Sequence, residues 1–227
     1  PFEQPISSGT FFMKKSFTKL TADSRYKLLS ILSQTFKDPK SELNFEDPFE
    51  LLCAVVLSAQ ATDKSVNKVT PTLFKVAKTP YQLKDLPVEE LEGIIKSIGL
   101  YKNKAKNLIA LAKMLCDNFG GVVPSNYDDL IKLPGVGSKT AKVVLNVAFN
   151  QPTVAVDTHI FRVCNRTCFC LGKTVKEVED HIVDLVPSEF LLQAHHLLLL
   201  HGRYTCTAKN PKCDTCPIAS LCKKNIL

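Results

Sequence analysis

The chain has 227 residues, 45% of them hydrophobic, with a formal charge of +7 and a pI near 8.9. That length allows one large domain or two small ones sharing a crevice, and no apolar run approaches the ~20 residues that span a bilayer. Nine cysteines, an odd number, argue against a disulfide framework and for a reducing compartment, and the basic balance suits a polyanionic partner without proving one.

Residues 1–12 carry no basic segment joined to an apolar core and cleavage site, so no signal peptide is expected there. Met13-Lys14-Lys15 reads as a native start, with residues 1–12 a flexible or added extension. Asp47-Pro48 opens an apolar stretch with a cap and a proline at the first helical position. Pro87-Val88-Glu89-Glu90 leads into a helical pattern that Gly99 should stop. Residues 101–118 place Ala105, Leu108, Ile109, Ala112 and Leu115 on one face and end at Gly120-Gly121. Ser125 to Leu133 reads as a short helix, and Ser138 to Phe149 as another. Pro152 to Val156 is the one stretch that looks extended. Thr174-Val175-Lys176-Glu177 is a capping box for a further amphipathic helix, with its acidic residues Glu177, Glu179 and Asp180 on a solvated face. Ser188, after Pro187, should cap a helix through Leu200. The periodicity is helical almost throughout, so an all-α fold is expected.

Two segments carry chemistry. Between the helices around residues 130 and 140 lies Pro134-Gly135-Val136-Gly137. Two glycines around one apolar residue permit a tight reversal with unobstructed backbone N–H groups. With the positive end of the next helix, these can hold a phosphate without reading sequence. An ordinary helical corner is the alternative. Near the C-terminus, Cys206, Cys213, Cys216 and Cys222 fall at the spacing C-x6-C-x2-C-x5-C. A four-cysteine zinc site usually takes two CxxC knuckles, and only one is present here. Four thiolates in one short loop instead suit an iron–sulfur cube. Cys164, Cys168 and Cys170 lack a histidine or CxxC to complete a second ligand set, and Cys53 and Cys116 sit in apolar helical runs.

LPGVGSKTA is followed, eighteen residues after Lys139, by Asp157 in VAVDTH. With ELNFEDPFELL, LSAQATD, IGLYKNKA, AVDTHIFRVCNRT, LHGRYTC and the cysteine loop, the chain from Glu42 onward resembles the endonuclease III family of helix-hairpin-helix DNA glycosylases. The resemblance implies two helical lobes and a DNA-binding cleft: residues 41–151 as a six-helix lobe with the hairpin, and residues 13–40 with 152–227 as a lobe carrying a 4Fe–4S cluster. It implies a bifunctional DNA glycosylase and AP lyase acting on double-stranded DNA with oxidised pyrimidine or abasic sites. It makes Cys206, Cys213, Cys216 and Cys222 the cluster ligands.

By the same resemblance Lys139 is the nucleophile and Asp157 its catalytic partner. An amine attacking the deoxyribose C1′ displaces the base and then becomes an imine to the opened sugar as the C1′–O4′ bond breaks; the imine acidifies the C2′ proton, so β-elimination can break the 3′ phosphate bond. Partial burial of Lys139 is expected to help free the amine of its proton. Asp157 could equally serve only as a helix cap. Gln60 matches the position that fills the space left by an extruded base, and Leu100 an apolar wedge. Gly135, Val136 and Gly137, with Lys209 and Lys212 in the cluster loop, are expected at phosphates; His159 is expected to be a local hydrogen-bonding residue. Leu197 stands where the family often has a tryptophan.

Three rival functions follow. An adenine–mismatch glycosylase lacks the lysine and uses a glutamate on an earlier helix, and LSAQATD offers none. A non-catalytic helix-hairpin-helix DNA-binding module would need neither Lys139 nor Asp157. A redox iron–sulfur protein would need no hairpin. The resemblance also suggests a monomer in the bacterial cytoplasm, associated with the nucleoid and not with a membrane.

Overall fold

The computed structural model describes residues 18–224. The proposed extension over 1–12 and the first residues of the 13–40 segment lie outside them. The described residues form eleven α-helices and two short 3-10 turns, with no strand among them. None of the helices is long and apolar enough to cross a membrane.

One core gathers buried side chains from Leu43 to Leu145. Its centre is α2 (Pro48–Ser58), in which every residue from Phe49 to Leu57 is buried. Asp47 starts it as expected, its carboxylate accepting from the N–H groups of Phe49 and Glu50 at 2.9 Å. Around it lie α3 (Asp63–Val76), α4 (Pro80–Lys84), α5 (Val88–Ile94), α6 (Tyr101–Phe119), α7 (Tyr127–Leu130) and α8 (Ser138–Phe149). Helix α5 stops at Ile94, short of Gly99. Helix α6 ends at Gly120, where φ is +59°, and the Gly121 N–H closes the end onto the Leu115 carbonyl at 2.9 Å.

A second core joins the helix α1 (Ala22–Thr35) to residues 154–218. Arg25 ties α1 in, its Nε donating to the Phe169 carbonyl at 2.8 Å. The helices α9 (Thr158–Thr167), α10 (Val175–Leu185) and α11 (Ala194–Tyr204) complete it. The helix expected from Ser188 is broken. Ser188–Phe190 forms a 3-10 turn, and α11 begins only at Ala194. The break lets Phe190 enter the second core while the Leu192 carbonyl accepts from Asn146 Nδ2 at 3.3 Å. Pro152 to Val156 is an extended linker without a strand partner.

Candidate active site

Lys139 and Asp157 stand on opposite sides of the linker between the cores, and the linker is tightly held. Asn146 donates to the Gln151 and Thr153 carbonyls, each at 3.2 Å, and Thr153 Oγ1 donates to the Lys142 carbonyl at 2.6 Å. Glu179 completes the fastening. Its carboxylate pairs with Lys142 Nζ at 2.8 Å and accepts from the Val156 N–H at 3.3 Å. The expectation of a solvated face is therefore wrong for Glu179. Its side chain is only 14% exposed, because the linker needs an acceptor there.

The hairpin turns at Gly135, where φ is +79° and a Cβ would come within 3.1 Å of Asn107 Cβ on α6. Glycine meets both demands. The Val136 side chain is buried in the first core, and its N–H donates to the Leu133 carbonyl at 3.0 Å. The expectation that Val136 offers a free N–H is thus corrected, since closing the turn uses it. Gly135 and Gly137 are exposed beside it. Gly137 precedes α8, whose first turn has no side-chain cap, so the N-terminal N–H groups there face the surface.

Lys139 lies in that first turn. Its Nζ is 3.8 Å from Asp157 Oδ2, and its side chain is 60% exposed against 12% for Asp157. The expected burial of Lys139 is absent in the free protein. The two Asp157 oxygens divide their work. Oδ1 caps α9, accepting from the His159 and Ile160 N–H groups at 2.9 Å, and Oδ2 faces the amine. Helix α11 supports this end from behind at Gly202, where a Cβ would sit 2.9 Å from His159 Cβ. His159 Nδ1 lies 3.2 Å from Arg162 Nη2, which also donates to the Gly202 carbonyl at 2.8 Å.

The pair opens onto a cleft of about 450 Å³ lined from both cores, with Gln60, Gly135, Gly137, His195 and Arg203 among its walls. Gln60 is exposed with φ +56°, and Leu100 is 60% exposed with φ +60°, at the start of α6. Left-handed backbone at non-glycine residues costs about 1–3 kcal/mol and tends to mark functional sites. Neither side chain is core.

Sequence reasoning missed several cleft residues. Arg203 on α11 donates to Asp63 at 2.7 Å and to Glu42, which also accepts from the Tyr204 hydroxyl; this joins the two cores across the cleft. His195 and His196 meet edge to face at 4.9 Å. Burial is the main cause that pushes the His195 imidazole down to about 3 and His196 to about 4. Both are neutral at pH 7 and add no charge beside Lys139. Burial also lowers the pKa of Lys104, which perturbation alone would nominate as a nucleophile. Its Nζ is instead engaged by the Leu57 and Ala59 carbonyls.

The four expected ligands Cys206, Cys213, Cys216 and Cys222 surround one cavity with Arg166, His201 and Ile218. Donors for bound sulfur are in place. Arg166 Nη1 lies 3.6 Å from Cys206 Sγ and the Lys224 N–H 3.3 Å from Cys222 Sγ, and His201 Nε2 is 3.8 Å from Cys216 Sγ, where the neutral ring's tautomer sets which group donates. An anionic cluster fits these surroundings. Arg166 also donates to the Thr207 and Ala208 carbonyls, at 2.7 and 3.1 Å, which stiffens the turn bearing exposed Lys209 and Lys212.

An all-helical chain with a hairpin, a lysine–aspartate pair in a cleft and a cysteine-lined cavity defines a helix-hairpin-helix base-excision protein. The family described as HhH-GPD superfamily base excision DNA repair protein matches residues 53–188, and the iron–sulfur binding domain of endonuclease III matches residues 206–222. Endonuclease III of Escherichia coli (strain K12) is 53% identical over 199 residues, 88% of this chain and 94% of that one. The Haemophilus influenzae endonuclease III is 52% identical over the same shares. The solved structure of a trapped endonuclease III–DNA covalent intermediate, an estranged-adenine complex, aligns at a TM-score of 0.84 and 47% identity, covering 91% of this chain and 97% of that one. The chain belongs to the endonuclease III family. Its activity is that of a base-excision DNA glycosylase with AP lyase activity, and it carries a 4Fe–4S cluster.

Proposed function

We propose that this protein removes oxidised pyrimidines from double-stranded DNA and cleaves the resulting abasic sites by β-elimination, with Lys139 as nucleophile and Asp157 as its acid–base partner. The observation that carries the assignment is the Lys139–Asp157 pair, 3.8 Å apart at the cleft. The deprotonated amine attacks C1′, and the base leaves with the C1′–N electrons and takes up a proton. The secondary amine's lone pair then forms the C1′=N bond as the C1′–O4′ bond breaks, O4′ taking up a proton, so the imine is joined to an opened sugar. Removal of a C2′ proton then expels the 3′ phosphate, and water releases the lysine. Asp157 Oδ2 is placed to accept the ammonium proton and to stabilise positive charge at C1′. Covalent trapping by borohydride should be strong with oxidised-pyrimidine and abasic duplexes and absent with undamaged DNA. Trapping indifferent to the lesion would defeat the substrate assignment.

The remaining roles rest on the family resemblance. The N–H groups at Gly135 and Gly137, with the first turn of α8, take phosphates on one side, and Val136 holds the turn that aims them. Lys209 and Lys212 take phosphates on the other. Cys206, Cys213, Cys216 and Cys222 hold the cluster, which braces that loop. Residues 41–151 form one lobe, and residues 13–40 with 152–227 the other. The protein acts as a monomer in the cytoplasm, associated with the nucleoid. It should be yellow-brown, with iron and sulfide at roughly four each per chain, and a colourless protein with one zinc would defeat that ligand reading. Cys213→Ser should impair folding or lesion binding before it alters the chemistry.

Gln60 fills the space left by the extruded base, and Leu100 wedges into the stack. Leu100→Ala should slow excision from a stable duplex and matter less at an abasic or already extrahelical site, where less unstacking is required. Its melting temperature should barely change, because the side chain is 60% exposed, whereas truncating a core leucine costs about 2–5 kcal/mol. Equal losses on every substrate with a large fall in melting temperature would refute the wedge.

A further inference from the structure

Lys104 lies on the inner face of α6, 6% exposed and outside the cleft lining. Its ammonium donates to the Leu57 carbonyl at 2.9 Å and to the Ala59 carbonyl at 2.6 Å. These carbonyls belong to the C-terminal end of α2, where no intrahelical N–H can reach them and the helix dipole favours a cation. The adjacent residue is Gln60, held at φ +56°. A non-glycine residue keeps such a conformation only when its surroundings enforce it. The turn's own backbone bonds are few: Ala59 N–H to Val56 at 3.4 Å and Ala61 N–H to Ser58 at 3.0 Å. Lys104 supplies the shortest contact in the turn.

The same residue reaches the second left-handed position. The Lys104 N–H donates to the Leu100 carbonyl at 3.1 Å, closing the first turn of α6, and no side chain caps that helix start. Lys104 thus meets the turn that ends in Gln60 through its ammonium and Leu100 through its backbone N–H. Inserting two side chains into a base stack costs unstacking energy, and any freedom between the two would add an ordering cost.

We propose that Lys104 is a positioning residue for base extrusion: its ammonium locks the Gln60 turn to the Leu100 helix start, so that both side chains enter the duplex as one preorganised unit. The proposal rests on the roles given above to Gln60 and Leu100. It places Lys104 in neither DNA contact nor chemistry.

The test uses the full-length, cluster-bearing protein with Lys104→Met, which keeps length and bulk and removes the donor. Single-turnover excision from a stable lesion duplex should fall roughly ten- to a hundredfold, the scale of loss that a small misplacement causes. Borohydride trapping on a single-stranded abasic oligonucleotide, which requires no extrusion, should hold. The loss should be non-additive with Gln60→Ala, because both changes disable the same unit. Equal losses on the two substrates would mean general structural support and overturn the proposal, as would no loss on either or full additivity. If Lys104→Met does not fold, Lys104→Gln keeps an uncharged NH₂ donor on a shorter side chain and should give a smaller loss with the same duplex selectivity; an unselective loss overturns the proposal. Gln60→Ala and Leu100→Ala alone separate the failures. If they too are unselective, the extrusion roles fall; if they are selective and Lys104→Met is not, only the lock falls.

Discussion

Lys139→Gln is expected to abolish borohydride-trapped adducts with lesion DNA and to lower base release on the order of 10⁴-fold or more, the scale seen when a covalent nucleophile is deleted. Glutamine keeps reach and polarity but has no amine able to form an imine. The fold should be indifferent. The Lys139 side chain is 60% exposed and makes one loose ionic contact, at 3.8 Å, and exposed substitutions of this kind usually change stability by less than about 0.5 kcal/mol. DNA binding should be largely kept, because one cation is lost from a chain with 29 lysines and arginines, and affinity for the backbone is spread over many contacts. Gel-shift affinity, melting temperature and trapping, measured on one preparation, decide the matter. Adducts at the normal yield would move the nucleophile to another amine. Loss of trapping together with loss of binding would instead make Lys139 a DNA-contact residue.

The features legible in the sequence were those whose cause is local. Asp47-Pro48 and Gly120 mark helix ends through their own backbone preferences, and the structure uses them that way. The hairpin glycines and the four clustered cysteines belong to this class, since short-range spacing alone brings them together. What escaped is tertiary. Lys104 sits between Lys102 and Lys106, which are exposed, and nothing nearby marks it as buried. The available signal was its place on the inward stripe with Leu108, Leu111 and Leu115, a position where a lysine needs acceptors. Glu179 looked solvated because Lys142, 37 residues away, supplies its charge partner only after folding. The break before α11 depends on where Phe190 and Leu192 must go, and Ser188 alone carries no trace of that. The wedge and filler positions rest on the resemblance. No local pattern announces the left-handed backbone at Gln60 and Leu100.

Asp157→Asn is expected to slow base release roughly 10²- to 10⁴-fold, the usual weight of general acid–base catalysis, while the protein stays as stable as before. The expectation follows from the two oxygens. Oδ1 accepts from the His159 and Ile160 N–H groups and starts α9; an asparagine carbonyl can do the same, and asparagine ranks with aspartate as an N-cap. Oδ2 faces the Lys139 amine, and there an amide can neither accept the proton as a carboxylate does nor offset positive charge at C1′. Asp157→Ala removes both functions and should add a loss of about 0.5–2 kcal/mol of stability to the catalytic defect. For a protein of this size each kcal/mol lowers the melting temperature by about 2–4 °C. The pair of variants therefore separates the two roles. A full base-release rate for Asp157→Asn, with Asp157→Ala merely destabilised, would leave Asp157 a helix cap and return the acid–base work to solvent or another group. A slow but fully stable Asp157→Asn places the chemistry on Oδ2.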